Sequence, residues 1–224
     1  MTDTYPITPR TAMRIKPDRA SYDRALVHAI LDEGFVCHVA VSLDGTPHVV
    51  PTLYARSGEQ LLLHGNHSGS VLSALRDGAE ACVAVTLVDG LVLARSAMHM
   101  SVNYRSVVVY GRARQIVNGP EKLAAFETIV EHVVPGHWEH IRWPNDAEMK
   151  QTAVLSIDLV EASAKVRVGA PVDDEEDVDL PVWAGVLPLH LEHGAPLPAP
   201  DVAPGIDVPA HVARYRRPTQ VPTR

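Results

Sequence analysis

The run His64-Gly65-Asn66-His67-Ser68-Gly69-Ser70 gathers imidazoles, hydroxyls, an amide and glycines into one short stretch. Glycines let a turn close tightly and bare its backbone N–H groups. With the Ser68 and Ser70 hydroxyls and the positive end of a following helix, such a turn makes a place for a phosphate. The same residues also make an ordinary strand-to-helix loop capped by Ser70. No Gly-x-Gly-x-x-Gly follows a strand, so a dinucleotide-binding fingerprint is not supported.

Other charged residues fall where they can join such a site. Arg95-Ser96 and Asn103-Tyr104-Arg105-Ser106 put guanidiniums beside predicted strand ends. There each can clamp a phosphate or a ring carbonyl, or equally pair with a surface carboxylate. Lys165 and Arg167, two apart, share one face of an extended segment and can complete a basic pocket. The 12 histidines raise the question of a metal, with His132, His137 and His140 close together and His190 and His193 further on. Neither group matches His-Glu-x-x-His and no cysteine joins them, so no metal is predicted and they are read as surface or capping residues. Without a Gly-x-Ser-x-Gly elbow, a hydrolase triad has no support.

The elements that must position these residues follow from composition and pattern. The chain has 224 residues, 46% hydrophobic but only 5% aromatic, so the core must come from Val, Leu, Ile and Ala, which tilts the fold toward β. A formal charge of −7 repels a phosphate backbone and excludes nucleic acid as the main partner. No run approaches the ~18 apolar residues of a spanning helix, so no membrane association is expected. Residues 1–19 read as a polar arm with Pro6, Pro9 and Pro17 and no signal peptide. Cys37 and Cys82 lie in apolar runs and read as buried thiols in a reducing compartment, the cytoplasm.

Ser21 to Gly34 carries a helical stripe that includes Ala25, Ile30 and Leu31, with Ser21 as cap and Gly34 as stop. Alternation from Phe35 to Leu43, then Asp44-Gly45, then Thr46 to Leu53 predicts a β-hairpin. A short buried strand ends at His64, and a short helix covers Val71 to Arg76. Ala81 to Val88 is a strand, and Asp89-Gly90 reads as a second hairpin turn. Ser106 to Arg114 is a long strand in which Gly111 marks a bulge or a close approach. Asn118-Gly119-Pro120 opens a helix with Leu123, Phe126, Val130 and Val133 on one face, and a last strand runs from Ala153 to Leu159. Five or six strands with two or three helices make a small mixed barrel over residues 20–170. Residues 171–224 differ: Asp173 to Asp177 is acidic, and seven prolines follow Leu191. This extension is expected to dock on the barrel or on a partner subunit.

In this order, the hairpin on Asp44-Gly45, Pro51-Thr52-Leu53-Tyr54, Leu63-His64-Gly65, Ser68 with Ser70, and Asn103-Tyr104-Arg105-Ser106-Val107-Val108-Val109-Tyr110-Gly111 form a set. The set resembles the pyridoxamine 5'-phosphate oxidase-like flavin-binding split barrels, nearest the nitroimidazole-resistance branch. The resemblance covers about residues 10–190. It implies a mainly β, six-stranded antiparallel split barrel with flanking helices, dimeric, with a cofactor in each of two clefts at the subunit interface.

Position by position, the resemblance places Pro51, Thr52, Leu53 and Tyr54 along the edge of a flavin ring. It places His64, Gly65, Asn66, His67, Ser68 and Ser70 around the ribityl phosphate. Arg95, Ser96 and Arg105 fall near the cofactor or the dimer interface, and Trp183 matches a C-terminal aromatic against the cleft. His64 becomes the candidate reactive residue. The basic phosphate and substrate motifs of the true oxidases are missing from the acidic, proline-rich C-terminal region, so vitamin biosynthesis is not implied. The reading is a homodimeric FMN-dependent oxidoreductase acting on a small planar compound such as a nitroaromatic, with NAD(P)H or another donor. FAD and deazaflavin are alternatives to FMN. A second reading is a haem-, flavin- or deazaflavin-binding protein for storage or sensing, with His64, His67 or Met98-His99-Met100 as source of an axial ligand. A third is a cofactor-free dimeric scaffold.

Overall fold

The structure, a computed structural model, describes residues 3–216. Its strands are β1 (Ala20–Ser21), β2 (Val36–Leu43), β3 (Thr46–Ser57), β4 (Gln60–Asn66), β5 (Glu80–Leu93), β6 (Ser101–Gln115), β7 (Thr152–Asp158), β8 (Glu161–Arg167) and β9 (Gly185–Pro188). The helices are α1 (Arg24–Glu33), α2 (Ser70–Arg76), α3 (Gly119–Val133), α4 (Asp146–Gln151) and the one-turn α5 (Ala210–Ala213). Among the described residues no helix is long and apolar enough to cross a membrane.

Six strands close a ring in the order β2-β3-β4-β7-β6-β5, because β5 pairs with both β2 and β6. All pairings are antiparallel. The split lies in β6: up to Tyr110 it pairs with β8, and from Ala113 to Gln115 with β7. Gly111 sits at this change of partner, where a Cβ would come 2.9 Å from Ile157 Cγ2. It marks a close approach, and its ladder with β5 runs through it unbroken, Ala81 opposite Gly111 and Cys82 opposite Tyr110.

Local chemistry makes the first hairpin. Asp44 and Gly45 both have positive φ, 50° and 80°, in a two-residue turn with Leu43 opposite Thr46. That turn's twist matches the right-handed twist of the strands it joins. Asp89-Gly90, by contrast, is no turn. β5 runs straight through it with a register shift between Val88 and Gly90, held by β6 on one side and β9 on the other. Long-range ladders on both edges outweigh the turn preference of the dipeptide.

The barrel interior is filled by Val39, Leu61, Leu63, Val83, Val107, Val109, Leu155 and Ile157, and α1 stoppers it with Val27, Ile30 and Leu31. Asp23, not Ser21, caps α1 by accepting from Leu26 N–H, and Ser21 is instead paired with β8. Gly34 ends the helix because nothing larger fits: a Cβ would come 2.4 Å from Tyr54 Oη and 2.6 Å from Val85 Cγ1. On α3 the buried face is Lys122, Ala125 and Ile129 with Phe126 packed alongside. Leu123, Val130 and Val133 are only half-buried. The stripe is turned from the apolar one read in the sequence because Lys122 Nζ reaches the Thr152 and Met149 carbonyls at the end of α4.

Within the described residues both terminal regions are anchored. Tyr5 is buried in the main core, its hydroxyl donating to Glu59, so the polar N-terminal segment is anchored by one aromatic. The C-terminal extension adds β9 to the edge of β5, with Val186 opposite Val92 and Leu187 opposite Leu91. Further on, Tyr215 Oη donates to the Val133 carbonyl. Residues 217–224 of the expected arm lie outside the described residues.

Candidate functional site

A cavity of about 290 Å³ opens between β2, β3, β4 and α2. Period-two alternation on β3 turns Val50 and Thr52 toward it and leaves Val49, Pro51 and Leu53 on the exposed face. Leu63, His64 and Gly65 come from β4, and Ser70, Val71, Leu72 and Leu75 from α2. Gly65 has a steric reason: a Cβ there would meet Leu72 Cδ1 at 2.7 Å. The lining is mostly apolar with a few polar atoms, the makeup of a site for a flat organic ligand.

His64 is the polar feature of this wall. Its Nδ1 is buried without a hydrogen-bond partner, and its ring meets Phe126 edge-on at 6.1 Å. Burial lowers its pKa below the usual histidine value of 6.5, so at neutral pH the imidazole is uncharged and holds one donor and one acceptor. An orphaned buried polar atom costs free energy unless a ligand satisfies it.

Of the residues singled out in the sequence, Pro51, Thr52, His64, Gly65 and Ser70 come together around this cavity. Others do not. Leu53 points to the exposed face, and Tyr54 is fully buried with its hydroxyl donating to Leu31 O. Asn66 shapes the turn: its side-chain oxygen accepts from Ser68 N–H and its carbonyl from Gly69 N–H. Two of the turn amides are thereby engaged within the loop. Gly69, not Ser70, is the N-cap of α2. Ser68 is exposed, and His67 is exposed against Arg76.

The two arginines near strand ends are engaged elsewhere. Arg95 donates from its backbone and guanidinium to Asp173 in the extension. Arg105, only 6% exposed, is clamped between Glu33 and Asp89. Ser96 caps a short turn by accepting from Met98 N–H. Trp183 is 69% exposed and lies over Gly185. Arg167 donates to the Asn103 side chain and to the carbonyls of Gly169 and Ala170, away from the cavity lining. Sequence reasoning missed the apolar wall of Val39, Val50, Leu63, Leu72 and Leu75, whose alternation is indistinguishable from core.

A second cavity of about 370 Å³ lies under the C-terminal extension, lined by Phe35, Val133, His137, His193, Val212 and Tyr215 among others. Beside it His137 Nδ1 is 3.0 Å from His211 Nε2, and His140 stacks on His211. One ring nitrogen thus serves the other, and among the described residues no group of three or more His, Cys, Asp or Glu is placed to hold a metal ion.

On the outer face beside the first cavity, Val36 pairs with Leu53, His38 with Pro51 and Ala40 with Val49. Val36, Val49, Pro51 and Leu53 are exposed there, an apolar sheet face that runs into the cavity wall at Pro51.

Comparison with known proteins agrees with the fold. A family model described as pyridoxamine 5'-phosphate oxidase matches residues 23–166. The flavocytochrome Anf3 from Azotobacter vinelandii is 38% identical over 93% of this chain and 97% of its own, with a TM-score of 0.88. The FAD and heme binding protein from Mycobacterium smegmatis is 35% identical over 87% of this chain and 95% of its own, with a TM-score of 0.83. A candidate 5-nitroimidazole antibiotic resistance protein from Bacteroides thetaiotaomicron shares the fold at 21% identity, over 66% of this chain and 86% of its own, with a TM-score of 0.57. No curated protein matches the chain in sequence.

Proposed function

The chain belongs to the pyridoxamine 5'-phosphate oxidase family, and from that premise we propose that it is a flavin-dependent redox protein holding FAD in the cavity between β3, β4 and α2. The observation that carries this is that cavity, whose mostly apolar wall includes Thr52, Ser70 and His64, the last with its Nδ1 buried and unpartnered. A flavin ring fits such a wall, since it is flat and apolar on its faces and carries hydrogen-bonding atoms at its edge. FAD rather than FMN is preferred because of the likeness to the FAD and heme binding protein, which covers 87% of this chain.

When bound, the flavin supplies the electron or hydride transfer. The residues of the chain do the rest. Thr52 and the backbone beside Pro51 fix the ring edge, and His64 donates or accepts at its polar edge. Val50, Leu63, Leu72 and Leu75 keep water out. The physiological acceptor is a small planar compound or a haem bound as a second group, in keeping with the two relatives whose names include that pairing. A neutral imidazole is the form that binds iron, and His64 has it.

The functional unit is a homodimer formed through the exposed face of Val36, Val49, Pro51 and Leu53, which would close the open side of the cavity. Cys37 and Cys82 are both free thiols, in keeping with a cytoplasmic protein.

The test is the absorbance spectrum of freshly purified protein, followed by heat release and mass measurement of the chromophore. Flavin bands that bleach with NAD(P)H and a released mass equal to FAD support the reading, and a Soret band adds haem. In His64→Ala, loss of flavin with an unchanged Soret band places His64 on the flavin, and the reverse places it on the iron. Native protein that is colourless and takes up neither FAD nor FMN overturns the proposal.

A further inference from the structure

Three imidazoles meet where the end of the C-terminal extension lies on the barrel, and the flavin reading uses none of them. His137 Nδ1 is 3.0 Å from His211 Nε2, and the His140 ring stacks on His211 with centroids 4.4 Å apart. His211 stands in α5, whereas His137 and His140 belong to the turn that follows α3. The contact therefore ties the extension to the body of the protein. Besides the imidazoles, α5 is held by Tyr215 Oη on the Val133 carbonyl, and Val212 and Tyr215 roof the second cavity above Phe35, Val133 and Val134.

Such a contact tolerates few of its charge states. Between two imidazole nitrogens at hydrogen-bond distance one donates and the other accepts, so at least one ring is neutral. When both are protonated the acceptor is gone, and like charges face each other with a third imidazole stacked behind.

No nearby group offsets that repulsion. The carboxylate that faces His211 is Glu131 of α3. Its Oε1 accepts from Trp138 N–H at 2.7 Å and its Oε2 from Gly136 N–H at 2.5 Å, so both oxygens are spent on shaping the turn. Among the described residues, the histidines paired with a carboxylate are His28 and His99, not these three. On the segment of α5 itself Arg214, Tyr215 and Arg216 follow, the last two against His193, and the two arginines add positive charge. Burial first, and then the neighbouring His140 and His137, hold the His211 pKa below the usual histidine value.

We propose that His137, His140 and His211 form a proton-operated latch that pins α5 over the second cavity at neutral pH and lets residues 209–216 lift from it in mild acid. The free segment takes up protons that the docked rings exclude. Docking is therefore at full strength above the ordinary histidine value of about 6.5 and weakens as the pH falls below it. The latch stands apart from the flavin reading, because neither α5 nor the second cavity contributes to the lining of the first.

The experiment is hydrogen exchange read by mass spectrometry on the native protein between pH 8 and 5, with rates corrected for the intrinsic pH dependence of exchange. Protection of the 209–216 peptide should be constant from pH 8 to 7 and fall about two- to fivefold between pH 6.5 and 5.5, the change produced by one proton that the free segment binds more readily. Protection of β9, in the same extension but away from the imidazoles, should not change. His211→Gln should flatten the 209–216 profile, and His211→Arg, which fixes a positive charge at the contact, should lower protection of that peptide already at pH 7.5 while leaving the barrel strands as in the native protein. A flat native profile, an undiminished pH response in His211→Gln, or loss of protection in β9 and the barrel in step with 209–216 overturns the latch.

Discussion

Arg105→Met removes the cation from a cluster that the fold cannot easily relax. The guanidinium donates to both oxygens of Glu33 and to both of Asp89, and the Arg105 and Glu33 side chains are 7% and 10% exposed. Glu33 ends α1, Asp89 lies at the bulge of β5 and Arg105 is in the middle of β6, so the cluster ties three elements together. Removing one partner of a buried pair costs about 3–5 kcal/mol, because the other charge stays behind without compensation. Urea denaturation at pH 7.5 should show a loss of that size. Glu33→Gln combined with Arg105→Met should cost less than the sum of the two single changes by 1 kcal/mol or more. Folded Arg105→Met should keep the chromophore stoichiometry of the native protein, since the guanidinium does not line the cavity. Destabilisation below about 1 kcal/mol, strict additivity in the double variant, or selective chromophore loss from fully folded protein would refute this account.

Four other perturbations bear on the same structure. Gly34→Ala pushes a methyl against Tyr54 Oη and Val85, and should cost about 2–3 kcal/mol by chemical denaturation. Gly45→Ala, at φ 80° with open space around it, should cost only about 1 kcal/mol. Asn145→Ala removes a capping box with Glu148 at the start of α4 and should cost about 1 kcal/mol, visible as a lowered melting temperature. His64 resists protonation because of burial, so the unfolded chain binds that proton more readily than the folded one. Stability should therefore be retained above pH 6.5 and fall as the pH drops below it, and His64→Gln should flatten that part of the profile.

What the sequence discloses and what it hides differ by the range of the interactions. The turn at Asp44-Gly45 was legible because its positive φ angles are a local preference of those two residues. The same dipeptide type at Asp89-Gly90 misled, because what decides its conformation is pairing with Asn103 and Pro188, far away in the chain. Pro51, Thr52, His64, Gly65 and Ser70 were found as cavity residues because they belong to one hairpin and the turn that follows it. The acids that hold Arg95 and Arg105 were not legible for the opposite reason: they stand 78, 72 and 16 positions away, and nothing local announces them.

The way the ring closes also bears on how the protein is made. β3 and β4 are contiguous, yet the other edge of β4 pairs only with β7, with Asn66 opposite Thr152. At a synthesis rate of roughly 5–20 residues per second, the edge of β4 stays open for roughly 4–17 s after it leaves the ribosome. Throughout that interval a nascent sheet bearing Leu61, Leu62 and Leu63 offers unpaired amides and carbonyls to any neighbouring chain. Yield of soluble protein should therefore depend on growth temperature and on chaperone supply more than the stability of the finished barrel would suggest. The residues that govern it are those of β7, which are made late and alone can close the ring.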